Sequence, residues 1–215
     1  TQGVSSAASD VYKRQVKEPL PQEYALIKPH HILFTFFHFA ASLALTEAML
    51  HSGATCIAYE TIEDKNGALP LLAPMSEVAG RLAGQQAAKY LEKPQGGSGI
   101  LVGGVTGVAP AKALVLGGGV VGTNAAAVLV GMGADVTICD INESRLTALE
   151  NIFDGKIEAL LATKENILAK LPVVDAVIGA VLVKGAKAPK LITKEMLGAS
   201  KELFEAILIN PFDKN

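Results

Sequence analysis

One stretch of this 215-residue chain leaves little freedom, the run from Ala113 to Asp140. It opens on Ala113-Leu-Val-Leu116, an apolar segment of strand length. Gly117, Gly119 and Gly122 follow at G-x-G-x-x-G spacing, and Thr123 to Val130 are small and aliphatic residues that suit a buried helix. Gly131 and Gly133 close that helix, and Asp135 to Cys139 reads as a second strand ending on Asp140. Strand, glycine turn, helix and strand in this register predict a parallel βαβ unit. Its three glycines then have separate tasks: a tight turn, close backbone approach to a pyrophosphate, and close helix–strand packing. The pyrophosphate would sit at the helix N-terminus, where free N–H groups and the dipole favour an anion. Asp140 lies roughly 20 residues beyond the loop, where an acid accepts hydrogen bonds from an adenosine ribose. A 2′-phosphate there would meet like charge, so the expected dinucleotide is NAD.

Composition narrows the setting. Half the residues are hydrophobic and 19% are charged, enough apolar material for one large domain or two small ones. A net charge of −2 points to neither nucleic acid nor an anionic membrane surface as a partner. Cys56 and Cys139 are too few for a disulfide framework and show no metal spacing, which fits a reducing cytoplasm. Ala113 to Ala134 carries no charge and matches the length of a membrane span. Its glycines and Asn124 argue instead for a soluble parallel sheet covered on both faces, which has the same apolar runs.

The rest of the chain alternates in the same manner. Thr1 to Gln15 shows no helix or strand period and is expected to be a leader foreign to the fold. Pro19 and Pro21 make the next segment extended, and Glu23 to Ile27 suits a short helix. Ile32 to Phe37 reads as a buried strand ending at His38, Ala40 to His51 as a helix closed by Gly53, and Thr55 to Tyr59 as a strand. Glu60 to Gly67 reads as a polar loop. Ser76 is placed as the N-cap of a helix to about Leu91, with Val78, Leu82, Ala87 and Leu91 as its apolar positions. A glycine-rich connection leads into the βαβ unit. Beyond it the pattern predicts a helix at Glu143 to Phe153, a strand at Ile157 to Leu161 and a helix at Lys164 to Leu171. A strand at Val173 to Val183, a loop over 184–190 and a helix from Thr193 complete it. The fold class is α/β: a substrate-domain remnant at 16–74, a Rossmann-type dinucleotide domain at 75–200, and a divergent tail at 201–215.

His38 stands where an apolar strand gives way to a helix, and in parallel α/β sheets catalytic groups collect at the carboxyl ends of strands. A hydrogen-bonded structural histidine is the competing reading. Lys17, beside Glu18 and Pro19, would by itself be a solvated charge.

Several runs together are similar to the alanine dehydrogenase and nicotinamide transhydrogenase family. They are Val16-Lys-Glu-Pro19, Leu33-Phe-Thr-Phe-Phe-His-Phe-Ala-Ala-Ser42, Ile57-Ala-Tyr-Glu-Thr61, and Leu69 to Gly80. Leu116 to Ala126, Ala176 to Val183, and Gly185 to Leu191 extend the match. The resemblance implies that Lys17 binds and polarises the substrate, that His38 is the general acid/base, and that Met75 lines the substrate pocket. It implies cofactor contacts from Ser76, the loop of Gly117, Gly119, Val120, Val121 and Gly122, then Asp140, Arg145, Val181 and Leu182, and no metal. The family's substrate-carboxylate arginine belongs to the part that Thr1 to Gln15 replace and is expected to be missing, and its later acidic motif has no match in Ser200 to Asn215. A chain interrupted at both ends is therefore expected. The activity implied is reversible NAD-dependent oxidative deamination of L-alanine to pyruvate and ammonia, by a cytoplasmic homohexamer. Two alternatives stay open: the NAD-binding subunit of a transhydrogenase, and a non-catalytic NAD-binding module.

Overall fold

The computed structural model describes residues 12–183, 191–193 and 196. The described chain divides into two compact units, the first running to Leu72 and including Val183, the second running from Ala73 to Leu182 and including the later described residues.

In the first unit, β1 (Tyr12–Lys17), β2 (Ile32–Phe36) and β3 (Thr55–Ala58) form a parallel sheet in the order β1-β2-β3. Helix α1 (Leu43–Ser52) connects β2 to β3. One face of the sheet carries a core of Ile27, Leu33, Phe37, Leu45 and Met49. β1 corrects one expectation. Residues 12–15 do not stand apart from the fold, because β1 runs through them and Tyr12 to Arg14 pair with Ile32 to Phe34. A ladder is made of backbone N–H and C=O groups, so it extends along any extended segment leading into Lys17. The helix expected from Ala40 is split. Phe39–Ala41 is a 3-10 turn, and α1 starts after Ser42, whose Oγ accepts from Leu45 N at 3.2 Å. A serine cap at that point outweighs the helical propensity of the alanines before it.

The second unit starts with α2 (Ala73–Tyr90) and continues with β4 (Lys112–Leu116), α3 (Val120–Gly131), β5 (Asp135–Asp140) and α4 (Glu143–Ile152). β6 (Ile157–Leu161), α5 (Lys164–Lys170) and β7 (Ala176–Gly179) complete it. All its strand pairs are parallel, in the order β6-β5-β4-β7. That is the half-Rossmann order 3-2-1-4, with its reversal between β4 and β7. Both sheet faces are covered, as the continuous apolar strands require. Ala113 and Val115 of β4 join the core beneath α2 and α3, whereas Leu114 and Leu116 join Ile167, Leu171 and Val177 on the other face.

Two further expectations change. α2 begins at Ala73, so Ser76 lies within its first turn, buried, and is not its N-cap. Pro74 marks no break, because the first turn of a helix has no N–H to lose. Of the four apolar positions expected, Ala87 and, just past the helix, Leu91 are buried, whereas Val78 and Leu82 are exposed and the small residues Gly80, Ala83 and Gly84 are buried instead. α2 and α3 approach so closely that a Cβ on Gly80 would overlap Val121 O and lie 2.8 Å from Asn124 Cβ. Small residues win that interface because large ones cannot enter it. The long strand expected over Val173 to Val183 is only the four residues of β7, preceded by a 3-10 turn at Leu171–Val173. Pro172 inside the turn has no N–H for a ladder. The loop over 184–190, most of the helix from Thr193, and the tail beyond 200 lie outside the described residues.

Candidate functional site

The site is built where β4 turns into α3. Gly117 adopts φ +106°, a left-handed conformation that only glycine takes readily, and a Cβ on it would lie 2.8 Å from Ala180 O. Gly122 lets α3 settle onto β4: a Cβ there would be driven into Gly117 O, 3.0 Å from Gly117 C and 3.1 Å from Val115 Cγ1. Gly119 differs from both. Its backbone is ordinary, at φ −69° and ψ −164°, and a Cβ on it would meet no protein atom within 4 Å. The space beside Gly119 is open. Gly119 is also the N-cap of α3 and offers no side-chain cap, so the first-turn N–H groups of Val120 and Val121 are left to an external acceptor. An anionic phosphate fits such a cradle.

The loop is gripped from β5 and α4. Asp140 ends β5 with its Oδ2 accepting from Gly118 N at 2.7 Å and its Oδ1 accepting from Asn142 N at 2.9 Å. Arg145, in the first turn of α4, donates from Nε to Gly118 O at 2.6 Å and from Nη2 to Thr123 Oγ1 at 2.8 Å. Both ends of the Gly118 residue are therefore held by charged side chains, which fixes the loop in advance of any ligand. Each carboxylate oxygen of Asp140 has a second lone pair for a further donor. Gly117 N is taken by Cys139 O at 2.7 Å, so this glycine serves the turn and offers no donor to a ligand. Thr123, absent from the sequence-derived site, is the hydroxyl that joins Arg145 to the loop; its Oγ1 donates to Gly119 O at 2.8 Å.

Val181 and Leu182 follow β7 at the strand-order reversal, half-buried and exposed respectively. Val181 Cγ2 approaches to 2.9 Å from where a Gly117 Cβ would stand, so Val181 borders the glycine loop. Open α/β sheets bind ligands in this crevice. Met75 lies along α2 on an apolar groove of about 540 Å³ with Pro74, Val78, Ala79, Leu82 and Gln86. Ser76 is buried one residue further on.

Lys17 and His38 belong to the first unit. Lys17 is the last residue of β1, exposed, and after a register shift beyond Arg14 it pairs with Phe36, the last residue of β2. His38 follows two residues later, so both stand at the carboxyl edge of one parallel sheet. His38 has φ 52° and ψ 45°; among the described residues only Asp154 shares a positive φ without being glycine. Its ring stacks on Phe36, centroids 6.0 Å apart and planes 9° from parallel. Glu60, assigned from sequence to a polar loop, accepts from Phe37 N at 3.2 Å and from His38 N at 2.7 Å. Among the described residues no group of three or more His, Cys, Asp and Glu could hold a metal ion. No helix among them is long and apolar enough to cross a membrane, and the charge-free run of residues 113–134 is spent on β4, the loop and α3.

The second unit is thus an α/β dinucleotide-binding domain of Rossmann type. Models of the alanine dehydrogenase/PNT N-terminal and C-terminal domains match residues 4–79 and 83–202. The chain belongs to the alanine dehydrogenase/PNT family. It is 51% identical over 183 residues to the alanine dehydrogenase of Methanococcus maripaludis, covering 85% of this chain and 49% of the relative. The Bacillus subtilis alanine dehydrogenase is 51% identical over 187 residues, covering 87% and 49%. The chain spans about half the length of the curated relatives it matches. A solved L-alanine dehydrogenase superposes with a TM-score of 0.80 at 48% identity, over 90% of this chain and 54% of that one. A transhydrogenase from Sinorhizobium meliloti shares the fold, with a TM-score of 0.69 at 23% identity over 88% and 55%.

Proposed function

We propose that this chain is the part of an NAD-dependent alanine dehydrogenase that carries the dinucleotide loop together with a lysine and a histidine of the substrate site. The reaction is the reversible oxidative deamination of L-alanine to pyruvate and ammonia. The observation that carries this reading is the clear space over Gly119 at an uncapped helix N-terminus, with Asp140 at the end of the adjacent strand. It is joined by relatives at 51% identity that are alanine dehydrogenases.

NAD, when bound, supplies the acceptor for the hydride that leaves the substrate Cα. Gly119, Val120 and Val121 hold its pyrophosphate through backbone N–H groups, Asp140 accepts from the adenosine ribose, and Val181 and Leu182 border the nicotinamide. Met75 lines the substrate pocket and Ser76 contacts the cofactor. Lys17 offers a cation to the substrate, stabilising negative charge that develops on oxygen. His38 moves the protons that the imine and carbinolamine stages require, a task suited to an imidazole near neutral pH. Small molecules are the only partners in the chemistry. The working protein is a cytoplasmic homo-oligomer, a hexamer by its family, with no nucleic acid or membrane involved.

The test is to titrate the purified chain with NADH, following fluorescence, and then to measure NADH formation from NAD with alanine at alkaline pH. Saturable NADH binding with slow, alanine-dependent turnover supports the reading. Hydride exchange between an oxidised and a reduced nicotinamide without any amino acid would reassign the chain to transhydrogenase chemistry.

A further inference from the structure

We infer that Glu60 is a positioning residue for His38: its carboxylate sets the turn from which the imidazole leaves the carboxyl edge of the first sheet. The inference rests on the acid–base role proposed above for His38. The turn needs an external hold. His38 occupies the left-handed region without being glycine, a conformation that persists only where the surroundings over-determine it. Four contacts do so. Glu60 Oε2 accepts from Phe37 N and Oε1 from His38 N, at 3.2 and 2.7 Å, so one carboxylate fills the concavity formed by two successive N–H groups. His38 O accepts from Ala41 N at 2.9 Å, which closes the following 3-10 turn. The imidazole lies flat on Phe36, and Phe36 in turn meets the edge of Tyr59, 5.0 Å between centroids at 83°.

Tyr59 and Glu60 are consecutive, in the short turn that follows β3. One dipeptide therefore fixes both the aromatic platform beneath His38 and the backbone that carries it. β2 and β3 are paired in register from Ile32↔Thr55 to Thr35↔Ala58, so the place of Glu60 relative to His38 is set by the sheet itself. Both hydrogen bonds from Glu60 end on the backbone, which makes it a positioning group and not a second acid–base group. A glutamine would present one acceptor oxygen and turn its amide N–H₂ toward the other backbone N–H, so it can satisfy about half of the clamp.

The experiment is NMR on the isotope-labelled 215-residue chain as wild type, E60Q and E60A, reading the His38 amide, the His38 ring protons and the Gly118 amide. In E60A the His38 amide is expected to move and to exchange at least ten-fold faster. The ring protons should lose the displacement imposed by Phe36, with Gly118 unchanged because the other unit stays folded. E60Q should fall between the two at the His38 amide. His38 signals in E60A that move no more than Gly118 overturn the inference. If E60A does not fold, an unmoved His38 amide in folded E60Q overturns it equally. Turnover by H38N is measured separately. Activity that survives H38N removes the acid–base reading, while the NMR result still decides whether Glu60 sets the turn.

Discussion

Replacing Gly119 and Gly122 by alanine, one at a time, separates the cofactor role of the glycine loop from its folding role. At Gly122 the new methyl would strike Gly117 O and crowd Val115, both parts of a rigid strand end, so α3 must lift off β4. Overpacking of this kind costs about 1–3 kcal/mol, and a backbone obstacle places Gly122→Ala at the upper end. With about 2–4 °C per kcal/mol for a chain of this size, the midpoint of thermal unfolding should fall by roughly 6–12 °C. At Gly119 the methyl meets no protein atom, and the backbone at φ −69° and ψ −164° accepts alanine without strain. Gly119→Ala should therefore fold about as well as wild type, since the gain of about 0.4–1 kcal/mol from restricting the unfolded chain is offset by the loss of a glycine N-cap. The same methyl enters the open space at the uncapped N-terminus of α3, where the proposed pyrophosphate would sit. Displacing a phosphate from even one hydrogen bond to a charged group costs about 1.5–3 kcal/mol. That corresponds to roughly 10- to 150-fold in the dissociation constant for NADH. Paired thermal melts and NADH fluorescence titrations read both quantities. A Gly119→Ala protein that melts normally and binds NADH within about three-fold of wild type (some 0.6 kcal/mol) would refute the placing of the pyrophosphate here.

Other outcomes follow from single contacts. Arg145→Ala removes the hold on Gly118 O and Thr123, and should weaken NADH binding about ten-fold; Arg145→Lys should recover only part, because an ammonium cannot make the fork. The Lys170 ammonium, with help from Thr137, holds the Glu158 carboxyl below the usual carboxylate range. Its folded pKa lies under the unfolded value, so the stabilisation is complete above the ordinary range and is lost as pH falls through the lowered pKa. Melts between neutral and acid pH should show a smaller drop for Glu158→Gln than for wild type. Burial, with the nearby Glu158 adding, pushes the Cys139 thiol up to about 11, and burial alone raises Cys56. A thiol reagent at pH 8 should therefore label half-buried Cys56 first and Cys139 only on unfolding. Wild-type chain should bind NADH more tightly than NADPH, since a 2′-phosphate would face the Asp140 carboxylate; equal dissociation constants would exclude that role for Asp140.

The parts of the fold that were legible in the sequence are those governed by local rules. The turn at Gly117, the close packing at Gly122 and the strand ending at Asp140 stand as read, because Gly117 and Gly122 each answer a backbone demand that the spacing marks. What the sequence hid was decided by partners distant in the chain. The packed face of α2 is its small-residue face, because α3 comes too close for Val78 or Leu82 to enter. Periodicity counts hydrophobicity and has no measure of interaxial distance. Ser76 looked like a cap until Pro74 proved to be inside the helix. Glu60 was invisible for a similar reason, since its partners lie 22 and 23 positions away and are backbone N–H groups that no side-chain pattern marks. The N-terminal segment showed no period, yet Tyr12–Lys17 forms an edge strand whose pairing asks little of its side chains.

Asp140 holds Gly118 N and Asn142 N, and in the proposed complex it would also accept from the ribose. A change of dinucleotide preference therefore has no simple one-step path through this residue. Any substitution that welcomes a phosphate also unpins the loop that every dinucleotide needs, so the first mutant on the route binds both cofactors worse than its parent. Drift toward NADP in such a lineage requires a prior mutation that stiffens the loop by other means. Until that arrives, selection for tight binding of any dinucleotide would keep the aspartate, and the proposed preference for NAD would follow from loop geometry.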